Sequence, residues 1–218
     1  MNFAFHFEIN NETPGMSETL KNHWETVYTN KKPNEVSWTQ EIPKTSLDFI
    51  KSFNLPKTAS IIDIGGGDSN LVDFLLADGY TDITVLDISA ASLERAKMRL
   101  GENSSKVTWI VSDITEFKPE RKYQVWHDRA TFHFLTSTDQ IQEYLQIAEL
   151  AIDGFLTIGT FSENGPTKCS NLNIKQYSET DLQLVFKEGF SKIKCVNENH
   201  RTPFDTIQNF TFCSFKKI

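Results

Sequence analysis

The distribution of apolar and polar residues changes character at residue 59. From there, short apolar runs alternate with longer segments in which apolar residues recur at helical spacing, and turn residues separate the two kinds. Several of the short runs are apolar on both faces, as expected for parallel strands covered by helices on each side. The alternation predicts βαβ units in a mainly parallel sheet. The predicted strands are 59–64, 82–87, 106–111, 123–128 and 154–161.

Capping residues mark the helices between these strands. Short polar side chains at a helix start accept hydrogen bonds from free backbone N–H groups, and glycine favours the position just past a helix end. The sequence therefore predicts helices that start at Asp68, Ser89, Thr138 and Ser178, with glycine ends at Gly79, Gly101 and Gly189.

The two ends of the chain follow other patterns. Residues 191–198 and 207–217 are strand-like and are joined too directly for a crossover helix, so they predict an antiparallel hairpin. An ordinary dinucleotide-binding domain would continue with parallel strands. Before residue 59, the segments 17–30 and 43–53 predict helices that cap one end of the sheet, with Pro43 at a favourable first position.

Composition limits the class of protein. The 218 residues are 39% hydrophobic and 12% aromatic, which suffices for a packed core, and the net charge of −7 disfavours a nucleic-acid partner. We find no leader segment and no apolar run of the ~18 residues that a membrane span requires, which predicts a cytoplasmic protein. Cys169, Cys195 and Cys213 are odd in number and widely spaced, so we expect reduced thiols and no metal site.

The stretch "DIGGGDSN" places Gly65, Gly66 and Gly67 directly after the first predicted strand. Ligands of open parallel sheets bind beyond the carboxyl ends of the strands, and glycines let the backbone approach them closely. Asp87 ends the second strand, where a carboxylate can accept both hydroxyls of a ribose. Its alternative role, a helix cap, is already filled by Ser89.

The end of the third strand and the acids of the glycine turn narrow the choice of ligand class. Asp113 can accept from an adenine amine while Ile114 lies against the ring. A dinucleotide turn would carry a third glycine near position 70, and acids at positions 63 and 68 would repel pyrophosphate. The turn instead favours a cationic ligand without phosphate, and S-adenosylmethionine has that chemistry.

The motifs "IIDIGGGDSN", "ITVLDIS", "VSDI" and "YQVWHDRATFHFL" resemble the successive motifs of class I S-adenosylmethionine-dependent methyltransferases over residues 59–161. An antiparallel strand at the end of the sheet is typical of the same family. The segments "HWETVYTNKKPNEVSW", "WHDRATFHFL", "GPTKCSNLNIKQYS" and "HRTPF" resemble a group of small bacterial methyltransferases of undefined substrate. One departure is "AIDGF", where many relatives carry a Pro-Gly-Gly turn and this chain has only Gly154.

The resemblance implies a Rossmann-like seven-stranded sheet, mostly parallel with an antiparallel C-terminal hairpin strand and helices on both faces. We expect a single domain over 1–218, with a helical cap or lid at 1–58 and a cofactor-binding core at 59–218. The implied cofactor-binding residues are Asp63, Gly65, Gly66, Gly67, Asp87, Ile88, Asp113, Ile114 and Asp128, to which the lid would add Trp24, Tyr28 and Trp38.

The catalytic candidates follow the fourth strand, near the expected methyl group. Asp128 would orient an amine or hold the cofactor, and Arg129 would bind a substrate carboxylate or form an internal ion pair. His133 would act as a base or pack as a structural residue between two phenylalanines. The aromatic residues of the lid would attract the sulfonium or simply bury area. The residues with open roles are His127, near the end of the fourth strand, and the loop residues Cys169, His200 and Arg201.

These features predict methyl transfer from S-adenosylmethionine to a small molecule. Methylation of a protein lysine is the alternative, since an acidic enzyme attracts a basic partner. A nicotinamide-dependent oxidoreductase and a non-catalytic cofactor-binding module are the remaining readings.

Overall fold

The computed structural model describes residues 16–218 and contains a seven-stranded sheet in the order β3-β2-β1-β4-β5-β9-β8. Neighbours among β1 to β5 run parallel, whereas β9 is antiparallel to both β5 and β8. The predicted fold class is therefore confirmed. The strands are β1 Ser60–Ile64, β2 Asp82–Asp87, β3 Val107–Val111, β4 Tyr123–Arg129, β5 Ile152–Phe161, β6 Lys168–Cys169, β7 Leu172–Asn173, β8 Phe190–Arg201 and β9 Ile207–Lys217. Strands β6 and β7 form a separate small hairpin that the sequence pattern does not predict.

Within residues 16–218, six α-helices pack around the sheet: α1 Met16–Asn30, α2 Lys44–Ser52, α3 Leu71–Ala77, α4 Ala90–Leu100, α5 Thr138–Ala151 and α6 Glu179–Val185. Ser89 caps α4 as predicted, because its hydroxyl accepts a hydrogen bond from the Ser92 N–H. The prediction for α3 is wrong at its start, since Asn70 is the N-cap and Asp68 lies in the preceding turn. Helix α6 starts after Ser178 as predicted but ends before Gly189. None of the helices in residues 16–218 is long and apolar enough to cross a membrane.

Both faces of the sheet are covered, which explains the doubly apolar strands. On one face, Ile61 packs with residues of α2, α3 and α4. On the other, Ile62 and Ile64 pack with residues of α5 and α6. Successive side chains of a strand point to opposite faces, so β1 contributes to both cores and brings its carboxyl end to the centre of the sheet edge.

The passage from α5 into β5 contains no loop, because the helix ends at Ala151 and the strand starts at Ile152. The register between β4 and β5 shifts in this region. A Cβ on Gly154 would overlap the Gln124 carbonyl oxygen of β4. The single glycine of "AIDGF" therefore lets the two backbones approach.

The C-terminal hairpin corrects the prediction of reduced thiols. Cys195 and Cys213 lie directly opposite each other on β8 and β9 and form a disulfide. Directly opposed residues of an antiparallel pair have close Cβ atoms, which makes such a bond geometrically accessible. Cys169 is free and buried.

Candidate functional site

A cavity of about 440 Å³ lies at the carboxyl ends of β1, β2, β3 and β4 and is covered by α1 and the segment that follows it. Most of the residues predicted for the cofactor and the lid line this cavity. They are Trp24, Tyr28, Trp38, Asp63, Gly65, Gly66, Asp87, Ile88, Asp113 and Ile114, together with the catalytic candidate Arg129. The structure places Gly67, Asp128 and His133 behind this lining.

Each of the three glycines in the turn leaves space that a neighbouring side chain of the protein occupies. Gly65 has φ +63°, and a Cβ there would overlap Thr131 Oγ1. A Cβ on Gly66 would lie 2.6 Å from Asp63 Oδ2, and one on Gly67, whose φ is +43°, would lie 2.7 Å from Asp87 Oδ2. The missing side chains let the turn sit among the groups that border the cavity. Thr131 carries no sequence signal for this role.

Asp63 belongs to a buried hydrogen-bonded chain. Its Oδ1 lies 2.7 Å from His127 Nδ1, and His127 Nε2 lies 2.8 Å from the Ser46 hydroxyl. In the neutral imidazole, Nδ1 donates to the carboxylate and Nε2 accepts from the hydroxyl. The chain joins β1, β4 and α2 at one wall of the cavity. Sequence reasoning missed Ser46, whose helix is distant along the chain.

The glycine turn is less acidic than the sequence suggests. Asp68 pairs with Arg95 Nη2 at 2.8 Å and also with the Arg99 guanidinium. Its charge is therefore compensated by two residues of α4. The expectation that uncompensated acids at positions 63 and 68 select a cationic ligand is therefore wrong for Asp68. Its two arginine partners come from a helix whose packing the sequence does not specify.

Asp87 is buried at the end of β2, and its Oδ1 accepts a hydrogen bond from the Ser89 N–H at 2.8 Å. Burial raises the pKa of Asp87 to about 7, and the nearby Asp63 and Glu25 carboxylates act in the same direction. Asp87 is thus partly protonated near neutral pH in the free protein. A ligand hydroxyl that donates to it would favour the ionised form.

Asp113 is half-buried after β3, and Ile114 beside it is buried. Asp113 Oδ1 accepts from the Thr115 N–H at 2.9 Å and from the Thr115 hydroxyl at 2.8 Å. Its Oδ2 accepts from the Ser17 hydroxyl of α1 at 3.1 Å. This loop therefore contacts the start of the covering helix.

Helix α1 covers the cavity with an aromatic cluster. The Trp24 ring centroid lies 5.7 Å from that of Trp38, 6.1 Å from that of Tyr28 and 5.2 Å from that of Phe134. The first three are the predicted lid aromatics, which the structure brings together. Edge-to-face ring pairs stabilise such clusters beyond their buried area.

Glu25 fastens this cover to the start of α4. Its carboxylate accepts from the Ala90 N–H at 2.6 Å and from the Ala91 N–H at 3.0 Å, both in the first turn of α4. The Ser89 hydroxyl also donates to it, at 3.1 Å. Free N–H groups and the helix dipole favour a carboxylate at this position. No local sequence signal identifies Glu25, because the helix start it caps is 65 residues away.

Asp128 is fully buried, and protein donors fill both carboxylate oxygens. Oδ1 accepts from the Thr131 and Phe132 N–H groups at 3.0 and 3.2 Å, and Oδ2 accepts from the Tyr144 hydroxyl at 2.9 Å. Burial raises the pKa of Asp128 to about 6. The carboxylate therefore shapes the turn bordering the cavity, in which Ala130 has φ +70°. This geometry supports positioning rather than contact with a ligand.

The surroundings of His133 likewise do not support a role as a base. Its Nδ1 accepts from the Phe161 N–H at 3.2 Å, and its Nε2 is buried without a partner. Burial lowers the pKa of His133 to about 3, and the Arg129 charge acts in the same direction. The ring is neutral with its proton on Nε2, so the remaining nitrogen donates instead of accepting.

Arg129 is the catalytic candidate that lines the cavity. Its Nη1 donates to the Trp38 carbonyl at 2.9 Å, and its guanidinium carbon lies 4.8 Å from the Phe210 ring centroid. Burial lowers the pKa of Arg129 to about 10, which leaves it cationic at neutral pH. Its Nε and Nη2 have no hydrogen-bond partner. Within residues 16–218, we find no carboxylate paired with it.

The structure places the predicted loop residues on strands, with Cys169 on β6 and both His200 and Arg201 on β8, and separates them into two groups. Cys169 lines the cavity, and burial raises the pKa of its thiol to about 12. His200 contacts the Ser37 carbonyl through Nε2 at 2.7 Å, and Arg201 pairs with Asp205 at 2.8 Å in the exposed hairpin loop. Neither of these two borders the cavity.

A family model described as a methyltransferase domain matches residues 61–151, the segment that contains the glycine turn, Asp87, Asp113 and Asp128. Residues 61–151 of this chain are thus similar to a methyltransferase domain. The match covers β1 to α5, the part of the sheet that forms the floor of the cavity.

Two curated relatives differ in what they methylate. Malonyl-[acyl-carrier protein] O-methyltransferase of Anoxybacillus flavithermus is 34% identical over 110 residues, which are 48% of this chain and 39% of that relative. EEF1A lysine methyltransferase 2 of Mus musculus is 22% identical over 189 residues, which are 78% of this chain and 71% of that relative. The chain thus spans well under half the length of the first.

Among solved structures, 1,6-didemethyltoxoflavin-N1-methyltransferase of Burkholderia thailandensis, with 1,6-didemethyltoxoflavin and S-adenosylhomocysteine bound, superimposes with a TM-score of 0.68. The superposition covers 97% of this chain and 98% of the other chain at 16% identity. At that identity, the similarity shows a shared fold.

Proposed function

We propose that this protein is a methyltransferase that transfers the methyl group of S-adenosylmethionine to a small-molecule acceptor. One observation carries the proposal: a single cavity brings together the glycine turn, Asp87, the Asp113–Ile114 pair and the aromatic cover. Each feature alone has a structural explanation. Their meeting at the carboxyl edge of a parallel sheet supports a nucleoside-containing ligand there.

The proposed roles follow from the chemistry of these groups. Asp87 accepts from the ribose hydroxyls, Asp113 accepts from the adenine amine, and Ile114 packs against the ring. The glycine turn gives the methionine tail access to the backbone near Asp63. The cofactor supplies an activated methyl group. The protein then has to bind the acceptor in line with it and keep water out, which the aromatic cover of Trp24, Tyr28 and Trp38 favours.

A small acceptor fits the enclosure better than a protein side chain. The cavity falls within the ~300–1,000 Å³ range of small-molecule sites and lies under α1 and the segment 33–43. The lysine methyltransferase of Mus musculus keeps protein methylation as the second candidate. The net charge of −7 favours a basic partner, but Arg129 in the cavity wall repels an ammonium group.

Calorimetry with S-adenosylhomocysteine tests the cofactor proposal. We expect saturable heat with the wild type and a strongly reduced affinity for Asp87→Asn. Asp82→Asn, on the amino end of the same strand, is the matched control and should bind normally. Folded wild-type protein that takes up no S-adenosylhomocysteine would refute the proposal. Incubating the protein with labelled S-adenosylmethionine in a cell extract, and separating the labelled products by size, then distinguishes a small-molecule acceptor from a protein acceptor.

We also propose the cytoplasm as the site of action. A disulfide is uncommon in that compartment, so the Cys195–Cys213 bond counts against this part of the proposal. Thiol labelling in intact cells followed by mass spectrometry decides the matter. A persistently oxidised pair would argue for an oxidising compartment.

A further inference from the structure

We propose that Arg129 binds a carboxylate of the acceptor and that an oxygen of this carboxylate receives the methyl group, giving a methyl ester. This inference rests on the proposed function. It names the class of acceptor and the atom that is methylated.

The first argument is the pattern of used and unused donors on Arg129. Nη1 is committed to the Trp38 carbonyl, whereas Nε and Nη2 have no partner and are shielded from solvent. Nε and Nη2 share one edge of the guanidinium, the edge that binds a carboxylate through two parallel hydrogen bonds. A buried cation with an empty fork is costly, and an anionic ligand offsets this cost.

The second argument is that the other cations bordering the cavity are occupied. Arg95 pairs with Asp68 and donates to the Tyr28 and Lys31 carbonyls. Arg99 pairs with Asp68 and Asp73. Among the described cavity-lining residues, Arg129 is therefore the cation with donors to spare.

The third argument is that, among the described residues, the histidine and cysteine side chains near Arg129 are not available as bases. His127 is held between Asp63 and Ser46, and the free nitrogen of His133 carries a proton. Burial keeps the Cys169 thiol protonated, since its pKa is raised to about 12. An amine, hydroxyl or thiol acceptor would have to lose a proton to such a base. A carboxylate is already ionised and requires none.

The chemistry balances without a further reactant. A carboxylate oxygen forms a bond to the methyl carbon while the bond between that carbon and the sulfonium sulfur breaks, and its electron pair stays on sulfur. The products are a neutral methyl ester and the neutral thioether of S-adenosylhomocysteine. One negative and one positive charge disappear together, which a partly desolvated cavity favours.

Glu198 is the competing partner for the fork. Its Oε1 accepts from Gln40, its Oε2 is buried without a hydrogen-bond partner, and its charge acts on Arg129. If Arg129 serves only to balance this carboxylate, the variants Glu198→Gln and Arg129→Gln should have the same effect.

The test uses the full chain with methyl-labelled S-adenosylmethionine and the small-molecule fraction of a bacterial extract. Methyl esters release labelled methanol in alkali, whereas N-methyl and ether products keep their label. We expect alkali-labile product, and inhibition of its formation by hexanoate but not by hexanamide or hexylamine. Label that resists alkali, or transfer that hexanoate leaves unchanged, would overturn the inference.

Variants separate recognition from folding and from cofactor binding. Arg129→Gln should lower transfer about 10- to 100-fold, the loss expected for a charge-assisted fork, while the affinity for S-adenosylhomocysteine stays within about twofold. Glu198→Gln and the surface variant Arg121→Gln should retain transfer. Equal losses in Glu198→Gln and Arg129→Gln would assign the fork to the internal pair. If S-adenosylhomocysteine binds normally but the ester is absent, only the inference fails, whereas absent binding refutes the proposed function.

Discussion

The affinity of the free protein for S-adenosylhomocysteine should depend on pH through Asp87. Burial raises the pKa of Asp87 to about 7 in the free protein. In the proposed function, ribose hydroxyls donate to the ionised carboxylate. Binding therefore selects the ionised form and releases a proton when pH is below about 7. The groups that act on Asp87 are Asp63 of β1 and Glu25 of α1, with donors from Ser89 and Ser92 of the α4 start.

The magnitude follows from the ionised fraction. With a free-state pKa of about 7, about one Asp87 in ten is ionised at pH 6 and about one in a hundred at pH 5, so each pH unit costs about 1.4 kcal/mol of binding free energy. Between pH 8 and pH 5, we expect the dissociation constant to rise about 100-fold, provided that the bound-state pKa falls below 5.

The same shift has a consequence for stability. Since the folded pKa of Asp87 lies above the unfolded value of 3.8, the folded state binds more protons between these pH values. The free protein therefore loses stability as pH rises from about 4 to 7. The ligand-induced increase in melting temperature should accordingly grow with pH.

Isothermal titration calorimetry from pH 5 to pH 8, in buffers of different ionisation enthalpy, measures both affinity and proton release. Asp87→Asn is the matched variant, since it removes the titrating group and leaves Asp128, with its pKa of about 6, in place. Its weak affinity should change little with pH. A wild-type affinity that stays constant over this range, or that varies equally in Asp87→Asn, would refute the assignment of the ribose to Asp87.

Three further predictions test the turn, the cover and the hairpin. Gly79→Ala places an alanine at φ +91° in open space and should cost about 1–2 kcal/mol in urea unfolding. Gly65→Ala adds the overlap with Thr131, so we expect at least about 2 kcal/mol more and lost cofactor binding, and equal costs would contradict this. Glu25→Ala removes the acceptor for two N–H groups of α4 and should cost about 1–2 kcal/mol, with faster hydrogen exchange in α1 than in the exposed control Glu18→Ala; unchanged exchange would refute the fastening role. Alkylation of denatured, unreduced protein should modify one thiol, since two cysteines are bonded, and three modified thiols would refute the bond.

Features with a local cause were predictable from the sequence. The strand 82–87 has the predicted bounds, and Ser89 caps α4 as expected. The antiparallel ending was predictable because the seven residues from 199 to 205 leave no room for a crossover helix. These features depend on period, capping and loop length, which neighbouring residues determine.

Features that depend on register or helix packing were not predictable. The hairpin cysteines pair because β8 and β9 align them, and a shift of one residue would separate them. The local sequence predicts Asp68 as a helix cap. In the structure it forms ion pairs instead, because α4 brings Arg95 and Arg99 to it. The partners of Glu25 and Ser46 are also distant along the chain, so the local sequence does not indicate the roles of these two residues.

The glycine turn has two reasons for its lack of side chains. From the sequence, Gly65, Gly66 and Gly67 are expected to let a ligand contact the backbone directly. The structure adds that each missing Cβ would meet a side chain that borders the cavity or supports its wall, namely Thr131, Asp63 and Asp87. A side chain in the turn would displace these groups before any ligand arrives. Glycine at this turn therefore keeps the two carboxylates in place, and in the proposed function it also leaves room for the ligand.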